Sequence, residues 1–588
     1  MSDLKVTINP DEGKIFIYCN KAYNDVVRSL PNRRWLKSKE CWQAPLIRAN
    51  AQVILDKFTR FRTFECSEKA LDKLREVASL NFVPQNLEKF PSWYKFKTNP
   101  FPHQLNALDF AWSRPQSAFF MEMGTGKSKT LIDLASARCM DGQINALIVF
   151  CPYGIRGTWE HEFSVHCPIE YTTYVVDTDV YKFEKKFDDY INLDHKFKIV
   201  IIGMESISGK EKDGKAYNAA QKFAKTHRCM VVVDESQYIK NYASNRASNA
   251  TQVRLECVSP VIMTGTPITQ GYTDLFGQFE FLSPDIIGVG DFYSFRSRYC
   301  VMGGFQNKSI IDYTNTDELM DLLTPWIFQV KKEDVLKDLP PKTYTSRTVE
   351  LTKEQKKLYD EIKQNGFANL KDLIKGHPED IDLICENVLT VYSSLQQIIG
   401  GFVTYWDETG ETRVRKLTRI IPVDKNPKIR DMMEVVEGIG NASMIIWARY
   451  REEIKMISEA LRAKYGDDSV VEFHGGVTAE DREVAKAKFL NKEARFFVSN
   501  AETGGTGLTL NVATYTFYYS NDFKLVNRLQ SEDRNHRIGQ KNAVTYIDQP
   551  TKGTIDIKIL RAIRQKKDLA NYVKERISAG KSLMELFD

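Results

Sequence analysis

The residues whose types and spacing point most clearly to ligand binding form a glycine-rich segment, Met123-Gly124-Thr125-Gly126-Lys127-Ser128. It lies between an apolar run, SAFF, and an amphipathic stretch, TLIDLASARCM. A glycine-rich turn from a strand into a helix lets backbone N–H groups converge on phosphate oxygens. Lys127 is then expected to reach the β- and γ-phosphates of a nucleotide, and the Ser128 hydroxyl to bind Mg²⁺. The strict phosphate-loop pattern has Gly or Ala where this sequence has Met121, so a chance glycine-rich turn is the alternative.

Two acidic residues, Asp234 and Glu235, follow a second apolar run, CMVVV. A carboxylate at the end of a buried strand beside a phosphate loop can hold Mg²⁺. The neighbouring Glu235 can then orient and deprotonate an attacking water. Acids that merely cap a strand end are common, but a phosphate loop followed by such acids is much rarer by chance. Together these residues predict ATP hydrolysis.

A charged segment near the carboxyl end, QSEDRNHRIGQK at residues 530–541, offers cationic donors. Its arginines, Arg534 and Arg537, are spaced by one helical turn and lie beside Gln530 and Gln540. Most runs of charge are solvated helix faces. The alternative is that the arginines stabilise the charge that develops on a γ-phosphate, as an arginine finger does.

Two blocks of alternating strands and helices must position these residues. The first, from about residue 99 to 270, contains SAFF, ALIVFC, KIVIIG, CMVVVDE and VIMTGTP, and the second contains MIIWA, RFFVSN, YTFYYS and VTYIDQ. Apolar runs of this length without polar alternation suit strands buried on both faces of a parallel sheet. Ligands of such sheets bind beyond the carboxyl ends of the strands. The sequence therefore predicts an α/β protein with two doubly wound parallel sheets and ATP bound between them.

The predicted boundaries divide the chain into six segments: 1–62, a small basic α+β domain; 63–98, a connector; 99–345, the first ATP-binding lobe with a helical extension; 346–435, a helical insertion with a hairpin; 436–560, the second lobe; and 561–588, a helical brace. The connector is expected to be irregular because of its prolines. The first segment has twelve Lys and Arg against six Asp and Glu, a net charge of +6, whereas the whole chain carries +5. Contacts to a polyanion must therefore come from local clusters.

Composition narrows the class of protein. The chain is 42% hydrophobic and 27% charged, and its ten cysteines include no CxxC pair, so structural zinc is not expected. The cysteines fit reduced thiols in a cytosolic compartment. The polar start is not a signal peptide, and no apolar run approaches the roughly 18 residues of a membrane span. We expect a cytoplasmic protein of a bacterial or viral-host cell, with no membrane partner and with a monomer as the favoured state.

The order of these segments resembles the superfamily-two helicases and translocases of the Swi/Snf type. The matching segments are EMGTGKS as motif I, FCPYGIRGTWEHEF as motif Ia, VVVDESQYIKN as motif II, MTGTPITQ as motif III, TGGTGLTLN as motif V and QSEDRNHRIGQ as motif VI. The resemblance covers about residues 99 to 560. It implies two RecA-like lobes that hydrolyse ATP with Mg²⁺ and contact the backbone of double-stranded or forked DNA.

The resemblance also implies roles for single residues. Gln104 corresponds to the glutamine that recognises adenine, and Arg537 corresponds to the arginine finger. Gln530 and Arg534 would contact the nucleotide or couple the lobes. With the phosphate loop, the expected nucleotide contacts are Gln104, Met123, Gly124, Thr125, Gly126, Lys127, Ser128, Gln237, Gly505 and Gln530, and the expected Mg²⁺ ligands are Ser128 and Asp234.

A further set of residues is implied to link the state of the nucleotide to the DNA groove: Thr264, Thr266, Gly505 and Gly507. The sequence also departs from the family pattern, with Thr125 in place of Leu, Gln237 in place of His and Thr509 in place of Asn. These departures concern the coupling of the lobes more than hydrolysis itself.

The stretch from Tyr18 to Phe58 resembles the HARP-type domain of annealing helicases, through Arg33, Arg34, Trp35, Trp42 and Leu46. Spaced aromatic and basic side chains can stack on bases and hold phosphates. A small domain whose tryptophans form its core is an equally open interpretation.

Three functions remain open from the sequence. The first is an ATP-driven translocase that remodels or anneals branched DNA, and the second is a strand-separating helicase. The third is an ATP-driven remodeller of a protein bound on DNA, such as RNA polymerase. Strong stimulation of ATP hydrolysis by naked DNA would favour the first two.

Overall fold

The computed structural model describes residues 4–9, 14–28, 30, 33–46, 48–79, 88–209, 214–269, 271–289, 291–303, 309–336, 339–376, 381–407, 414–505, 508–537, 539–569 and 573. The chain forms two compact units, one of Met1–Glu122 with Gly126–Lys331 and one of Met123–Thr125 with Lys332–Asp588. Each unit contains its own parallel sheet.

The first unit begins with a five-stranded mixed sheet in the order β3-β4-β2-β1-β5. Its elements are β1 (Leu4–Asn9), β2 (Lys14–Cys19), α1 (Asn24–Arg28), β3 (Arg34–Leu36), β4 (Cys41–Pro45), α2 (Arg48–Lys57), β5 (Phe64–Cys66) and α3 (Glu68–Ser79). Strand β1 is antiparallel to β2 and parallel to β5. Alternate side chains of β1 and β2 (Leu4, Val6, Ile15 and Ile17) form a core with α2 and α3.

This sheet changes the extent of the predicted amino-terminal domain. Strand β5 and helix α3 lie in the segment 63–98 that was expected to be an irregular connector, yet β5 completes the sheet of residues 1–62. Residues 63–79 contain no proline, so nothing there opposes regular structure. The domain therefore extends to Ser79, and a truncation at residue 62 would remove the partner strand of β5.

A seven-stranded parallel sheet follows, in the order β14-β6-β11-β10-β7-β9-β8. Its elements are α4 (Pro102–Trp112), β6 (Ser117–Met121), α5 (Lys127–Met140), β7 (Ala146–Cys151), α6 (Arg156–His166), β8 (Thr172–Val175), α7 (Phe183–Ile191), β9 (Lys198–Gly203), α8 (Lys215–Thr226), β10 (Cys229–Asp234), α9 (Asn245–Arg254), β11 (Ser259–Met263), α10 (Thr273–Leu282), α11 (Pro284–Ile287), α12 (Phe292–Tyr299), β12 (Cys300–Gly303), β13 (Ser309–Tyr313), α13 (Thr316–Leu323) and β14 (Ile327–Val330). All five predicted strands of this block are present, and β12 and β13 form a separate hairpin.

The sequence did not predict β8 and β14, the two edge strands of this sheet. Both have four residues, and most of their side chains are only half-buried. Edge strands need no continuous apolar run, so the signal that revealed the five central strands is missing from them.

The second unit contains a six-stranded parallel sheet in the order β15-β22-β21-β18-β20-β19. Its elements are α14 (Lys332–Val335), β15 (Lys342–Ser346), α15 (Lys353–Gly376), α16 (Ile381–Gly400), β16 (Phe402–Asp407), β17 (Val414–Arg419), α17 (Pro427–Gly438), β18 (Met444–Trp447), α18 (Arg451–Tyr465), β19 (Val470–Phe473), α19 (Ala479–Leu490), β20 (Phe496–Ser499), α20 (Ala501–Gly504), β21 (Tyr515–Tyr518), α21 (Leu525–Glu532), β22 (Val544–Asp548) and α22 (Ile555–Arg564). Eight short 3-10 helices also occur in the described chain: Lys21–Tyr23, Phe58–Arg60, Tyr153–Ile155, Met204–Ile207, Ser236–Ile239, Thr324–Trp326, Val423–Lys425 and Asp467–Ser469.

Strand β15 differs from the predicted boundaries. It lies mostly within the segment 99–345 assigned to the first lobe, but it pairs with β22 of the second sheet, with Lys342 opposite Val544. Its side chains are largely exposed, so this edge strand also lacks an apolar run.

Helices cover both faces of the second sheet. Met444 and Ile446 of β18 pack with residues of α17 and α18, whereas Ile445 and Trp447 pack with residues of α19. The predicted fold class is confirmed: an α/β protein with two doubly wound, RecA-like parallel sheets, helical insertions and a small amino-terminal α+β domain.

The predicted hairpin is the antiparallel pair β16–β17, in which Phe402 lies opposite Arg419. Its turn, with Arg413, lies outside the described residues. In the predicted brace, Leu569 and Val573 join helices α15, α16 and α22 in one apolar cluster. Among the residues that the structure describes, no helix is both long and apolar enough to cross a membrane.

Candidate functional site

The glycine-rich segment forms the turn between β6 and α5. Gly124 and Gly126 have φ values of 79° and 86°, in the left-handed region that favours glycine. A Cβ atom at Gly126 would also collide with the side-chain amide of Gln104. Both constraints explain why glycine occupies these two positions. Helix α5 begins at Lys127, so its free N–H groups border the turn.

Lys127 is buried, and its Nζ donates to the carbonyl oxygen of Met121 at 3.0 Å. The contact uses the backbone of Met121, so it does not depend on the type of side chain at that position. Gln104 is also buried; its Oε1 accepts from the N–H of Phe101, and its Nε2 lies 3.5 Å from the carbonyl oxygen of Gly126. The structure therefore brings Gln104 to the phosphate loop.

Asp234 ends strand β10, and its carboxylate is almost fully enclosed. It accepts hydrogen bonds from Trp159 Nε1 at 3.0 Å and from the N–H of Glu235 at 3.0 Å. Burial and the neighbouring Glu235 raise the pKa of Asp234 to about 7, although the charge of Lys127 opposes the rise. The carboxylate thus lacks full compensation for its negative charge.

Glu235 adopts a left-handed backbone, with φ 55° and ψ 59°, directly after the strand. Its Oε2 accepts from Gln237 Nε2 at 2.9 Å and lies 3.5 Å from Thr264 Oγ1. Thr264 Oγ1 in turn donates to Gln237 Oε1 at 2.6 Å and accepts from the N–H of Thr266 at 2.9 Å. Motifs II and III are therefore joined by one chain of hydrogen bonds.

Trp159 is the residue of this site that the sequence did not predict. It lies on α6, is buried, and donates to Asp234 across 75 positions of sequence. A tryptophan within TWEHEF reads as a core residue, and only the tertiary structure reveals its indole N–H as a partner of the acid. The buried Oγ1 of Thr266 has no hydrogen-bond partner in the described part of the chain.

In the second unit, the structure corrects the placement of Arg534 and Arg537. Helix α21 ends at Glu532, so the two arginines lie in the turns that follow it rather than on a helix face. The segment is also not solvated, since Gln530, Arg534 and Gln540 are buried. Helix α21 includes only the first three residues of the segment 530–541, and the rest of the segment turns back towards motif V.

Both arginines contact motif V. Arg534 Nη1 and Arg537 Nη1 donate to the carbonyl oxygen of Leu508 at 3.1 and 2.9 Å, and Arg537 Nη1 also donates to Thr509 Oγ1 at 2.8 Å. The departure from the family pattern at Thr509 therefore supplies a direct partner of Arg537. Gln540 Nε2 donates to the carbonyl oxygen of Asn511, so a third side chain of motif VI is bonded to motif V.

Gly505 lets the backbone leave α20 without a clash against the last turn of that helix. A Cβ atom there would collide with the carbonyl oxygen of Ala501 and would lie 3.6 Å from the backbone nitrogen of Ser531. The expected partner position Gly507 lies outside the described residues.

Arg528 is a second residue that the sequence did not single out. Its guanidinium is buried, donates to Asp548 and Glu532, and lies 3.4 Å from the ring centroid of Tyr518. Its spacing of four residues from Glu532 was the available signal, since such pairs lie on one helix face. Arg528 therefore fixes α21 to β22. Because motif VI begins within α21, the start of motif VI is fixed as well.

Comparison with known proteins identifies the family. The SNF2-related domain matches residues 103–400, just over half of the chain. The chain belongs to the SNF2-related family. The helicase conserved C-terminal domain matches residues 427–539 of the same SNF2-related chain. Motifs I to III lie within the first range, and motifs V and most of VI within the second, so the predicted Swi/Snf-type resemblance is confirmed.

Relatives of this SNF2-related protein are distant and longer. TATA-binding protein-associated factor MOT1 of Saccharomyces cerevisiae is 23% identical over 79% of this chain and 27% of its own length. YwqA of Bacillus subtilis, provisionally named an ATP-dependent helicase/translocase, is 23% identical over 87% of this chain and 52% of its own. The chain thus spans about a quarter to a half of these two relatives.

One solved structure similar to this SNF2-related chain is the Sulfolobus solfataricus SWI2/SNF2 ATPase core in complex with dsDNA. It has 21% sequence identity to this chain, and the match covers 85% of this chain and 98% of that structure with a TM-score of 0.37. The family matches begin at residue 103, so the HARP-like character of the amino-terminal domain stays a prediction.

Proposed function

We propose that this SNF2-related chain is a DNA-dependent ATPase that translocates on, and remodels, double-stranded or forked DNA. The observation that carries the proposal lies in the first unit, where the charge of Lys127 acts on Asp234 and hydrogen bonds link Glu235, Gln237 and Thr264. Lys127, Asp234, Glu235 and Thr264 lie in one connected site within a chain of this family. We also propose that the protein works in the cytoplasm and as a monomer.

ATP is the nucleotide that these residues would hold. The turn at Gly124–Gly126 would surround the phosphates with backbone N–H groups, Lys127 would exchange the Met121 carbonyl for phosphate oxygens, and Gln104 would contact the base. In the second unit, Gly505 and Gln530 would complete the nucleotide contacts, together with Arg534 and Arg537.

Mg²⁺ fits the acidic side of the site. Asp234 is enclosed, and its raised pKa reflects a negative charge that its two N–H donors do not fully balance. A hard divalent cation takes oxygen ligands of this kind, and the Ser128 hydroxyl at the start of α5 would supply a second ligand. When bound, the cation would neutralise phosphate charge, while Trp159 keeps the carboxylate oriented.

Glu235 is proposed as the base that accepts a proton from the attacking water. The hydrogen bond that it accepts from Gln237 and its proximity to Thr264 orient the carboxylate. They also make it sensitive to movements of motif III. This connection supports coupling between ATP hydrolysis and DNA contact, because motif III is the segment implied to face the DNA groove.

Glu235→Gln should retain ATP binding but lower kcat by about a hundredfold or more, since the amide keeps the shape of the side chain and cannot accept the proton. The measurement is steady-state ATP hydrolysis with saturating duplex DNA, beside a nucleotide titration. Glu170→Gln, which changes an exposed glutamate of the same unit, is the matched control. Unchanged turnover in Glu235→Gln would make Glu235 an ordinary strand-end acid.

The DNA requirement is tested by measuring ATP hydrolysis with single-stranded, duplex and forked DNA and with RNA. We expect strong stimulation by naked duplex or forked DNA, which falls steeply as salt rises because backbone contacts release counterions. Strand separation is measured on the same forks, which distinguishes a translocase from a strand-separating helicase. Hydrolysis that is indifferent to every nucleic acid would reject the proposal.

A second candidate function is the remodelling of a protein bound on DNA. The observation that favours it is the similarity to MOT1, whose name associates that protein with the TATA-binding protein. This function predicts weak stimulation of the ATPase by naked DNA and strong stimulation by a protein–DNA complex, for example one with RNA polymerase. The nucleic-acid panel above therefore separates the two functions.

A further inference from the structure

A cavity of about 450 Å³ lies within the first unit, between the amino-terminal sheet domain and the helices α10 and α12. Its size is in the range of small-molecule sites, roughly 300–1,000 Å³. The backbone N–H of Arg48 donates to Asp285 Oδ1 at 2.8 Å, which joins the small domain to α11. The cavity therefore has walls that are fixed to one another.

Aromatic rings form most of the cavity wall. Tyr242 and Phe292 are stacked with centroids 4.5 Å apart, and Phe276 meets Tyr242 edge-to-face at 5.4 Å. The small domain contributes Trp42, and Tyr293 is 68% exposed. Flat apolar walls of this kind bind flat rings, and stacking of a nucleobase on aromatic side chains tolerates any base.

The polar groups of the cavity carry both signs of charge. Arg28 and Arg33 come from the small domain, and Glu280 and Asp291 come from the helical side. Glu280 has no hydrogen bond or salt bridge to any residue that the structure describes. Burial raises the pKa of Glu280 to about 7, with Arg254 opposing the rise and Asp285 and Asp291 adding to it. Glu280 is thus a half-buried acceptor without a donor among the described residues.

These features restrict the chemistry of an occupant. A cationic side chain would pair with Glu280 but would make no use of Arg28 and Arg33. An apolar ligand would leave the carboxylate of Glu280 desolvated and unpaired. A nucleotide fits the cavity in three respects. Its flat ring suits the aromatic walls, its hydrogen-bond donors suit Glu280, and its anionic phosphate suits Arg28 and Arg33. Guanine matches a carboxylate best, since its N1–H and 2-amino group form two parallel donors.

We propose that this cavity receives one unpaired guanine nucleotide of DNA, with its base among the aromatic rings, its donor edge on Glu280 and its phosphate near Arg28 and Arg33. The inference rests on the proposed function in taking DNA as the ligand. A base in a duplex has its donor edge paired, so the site selects DNA with an unpaired base, as at a fork or gap. It assigns the amino-terminal domain a role shared with α10 and α12.

The test compares two labelled oligonucleotides, twelve thymidines and the same strand with one central guanine, by fluorescence anisotropy without ATP. The wild-type protein should bind the guanine strand about tenfold more tightly, the scale of one well-formed bidentate base contact. Replacing guanine by hypoxanthine, which lacks the 2-amino donor, should remove most of that preference.

Glu280→Gln should abolish the guanine preference and leave the affinity for oligothymidine unchanged, because the amide presents a donor to a donor. Tyr293→Ala should lower the affinity for both oligonucleotides about tenfold, since it removes a surface on which any base can stack. The matched controls are Glu256→Gln and Tyr181→Ala, exposed residues of the same unit that do not line the cavity. Thermal unfolding checks that each variant remains folded.

Equal affinity of the wild-type protein for the two strands would overturn the inference, and so would a guanine preference that survives in Glu280→Gln. Binding of a lysine-rich peptide that Glu280→Gln abolishes, with no difference between the oligonucleotides, would assign the cavity to a cationic side chain and also overturn it. Stimulation of ATP hydrolysis by duplex DNA is measured separately, and its absence would reject the proposed function and not the cavity.

Discussion

Lys127→Ala is expected to lower ATP hydrolysis by about a thousandfold or more, because it removes the cation proposed to contact the β- and γ-phosphates. The side chain is buried, and its Nζ donates to the carbonyl oxygen of Met121 at the end of β6. Loss of that bond should change the free energy of unfolding far less than it changes turnover. The measurement is ATP turnover with saturating duplex DNA, beside thermal unfolding.

Two further variants make the result specific. Lys127→Met keeps most of the volume of the side chain and should be as inactive as the alanine variant, which separates charge from packing. Lys225→Ala removes an exposed lysine from α8 and should retain normal turnover. Wild-type turnover in Lys127→Ala would reject the phosphate-loop assignment, and a large loss of stability would make the kinetic result a folding effect.

Arg537→Ala should lower single-turnover hydrolysis by about a thousandfold or more, the scale typical of finger arginines. ATP affinity should change much less, because the phosphate loop supplies most of the ground-state binding and the finger acts on charge that develops in the transition state. Arg537→Lys should not restore activity, since an ammonium lacks the planar fork of the guanidinium. The measurement combines single-turnover hydrolysis at saturating duplex DNA with a nucleotide titration.

The hydrogen bond from Arg537 to Thr509 provides the necessary control. Thr509→Ala removes that bond and leaves the arginine in place, so it should lose far less activity than Arg537→Ala. Equal losses in the two variants would assign Arg537 to the support of motif V. Normal hydrolysis with lost DNA binding in Arg537→Ala would mean that the arginine contacts the phosphate of a different molecule.

The buried parts of the fold could be predicted from the sequence because their signal is strong. Strands such as Ala146–Cys151 and Cys229–Asp234 are fully buried and therefore read as continuous apolar runs. The glycines after strand Ser117–Met121 and the acids at the end of strand Cys229–Asp234 could also be identified. Ligands of such sheets bind at the carboxyl ends of the strands, so polar residues that follow an apolar run are candidate site residues. The fold class and the matched family follow from these runs and motifs.

The remaining features depend on contacts that a linear pattern does not contain. The edge strand Lys342–Ser346 has mostly exposed side chains, and it is defined only by its pairing with Val544–Asp548. The spacing of Arg534 and Arg537 is helical, but contacts with Leu508 hold them in turns. The hydrogen bond of Trp159 to Asp234 likewise requires that two distant segments meet.

At Glu235, whose backbone is left-handed, the residue that would give the most stable fold differs from the residue that hydrolysis is proposed to need. A residue with a Cβ atom pays about 1–2 kcal/mol in that conformation, whereas glycine does not, and asparagine tolerates it better than glutamate. Selection for thermostability alone would therefore favour replacement of the proposed catalytic base. A laboratory search that scores only folding would drift towards an inert protein, and a relative that had lost its need for ATP would be free to make the same exchange.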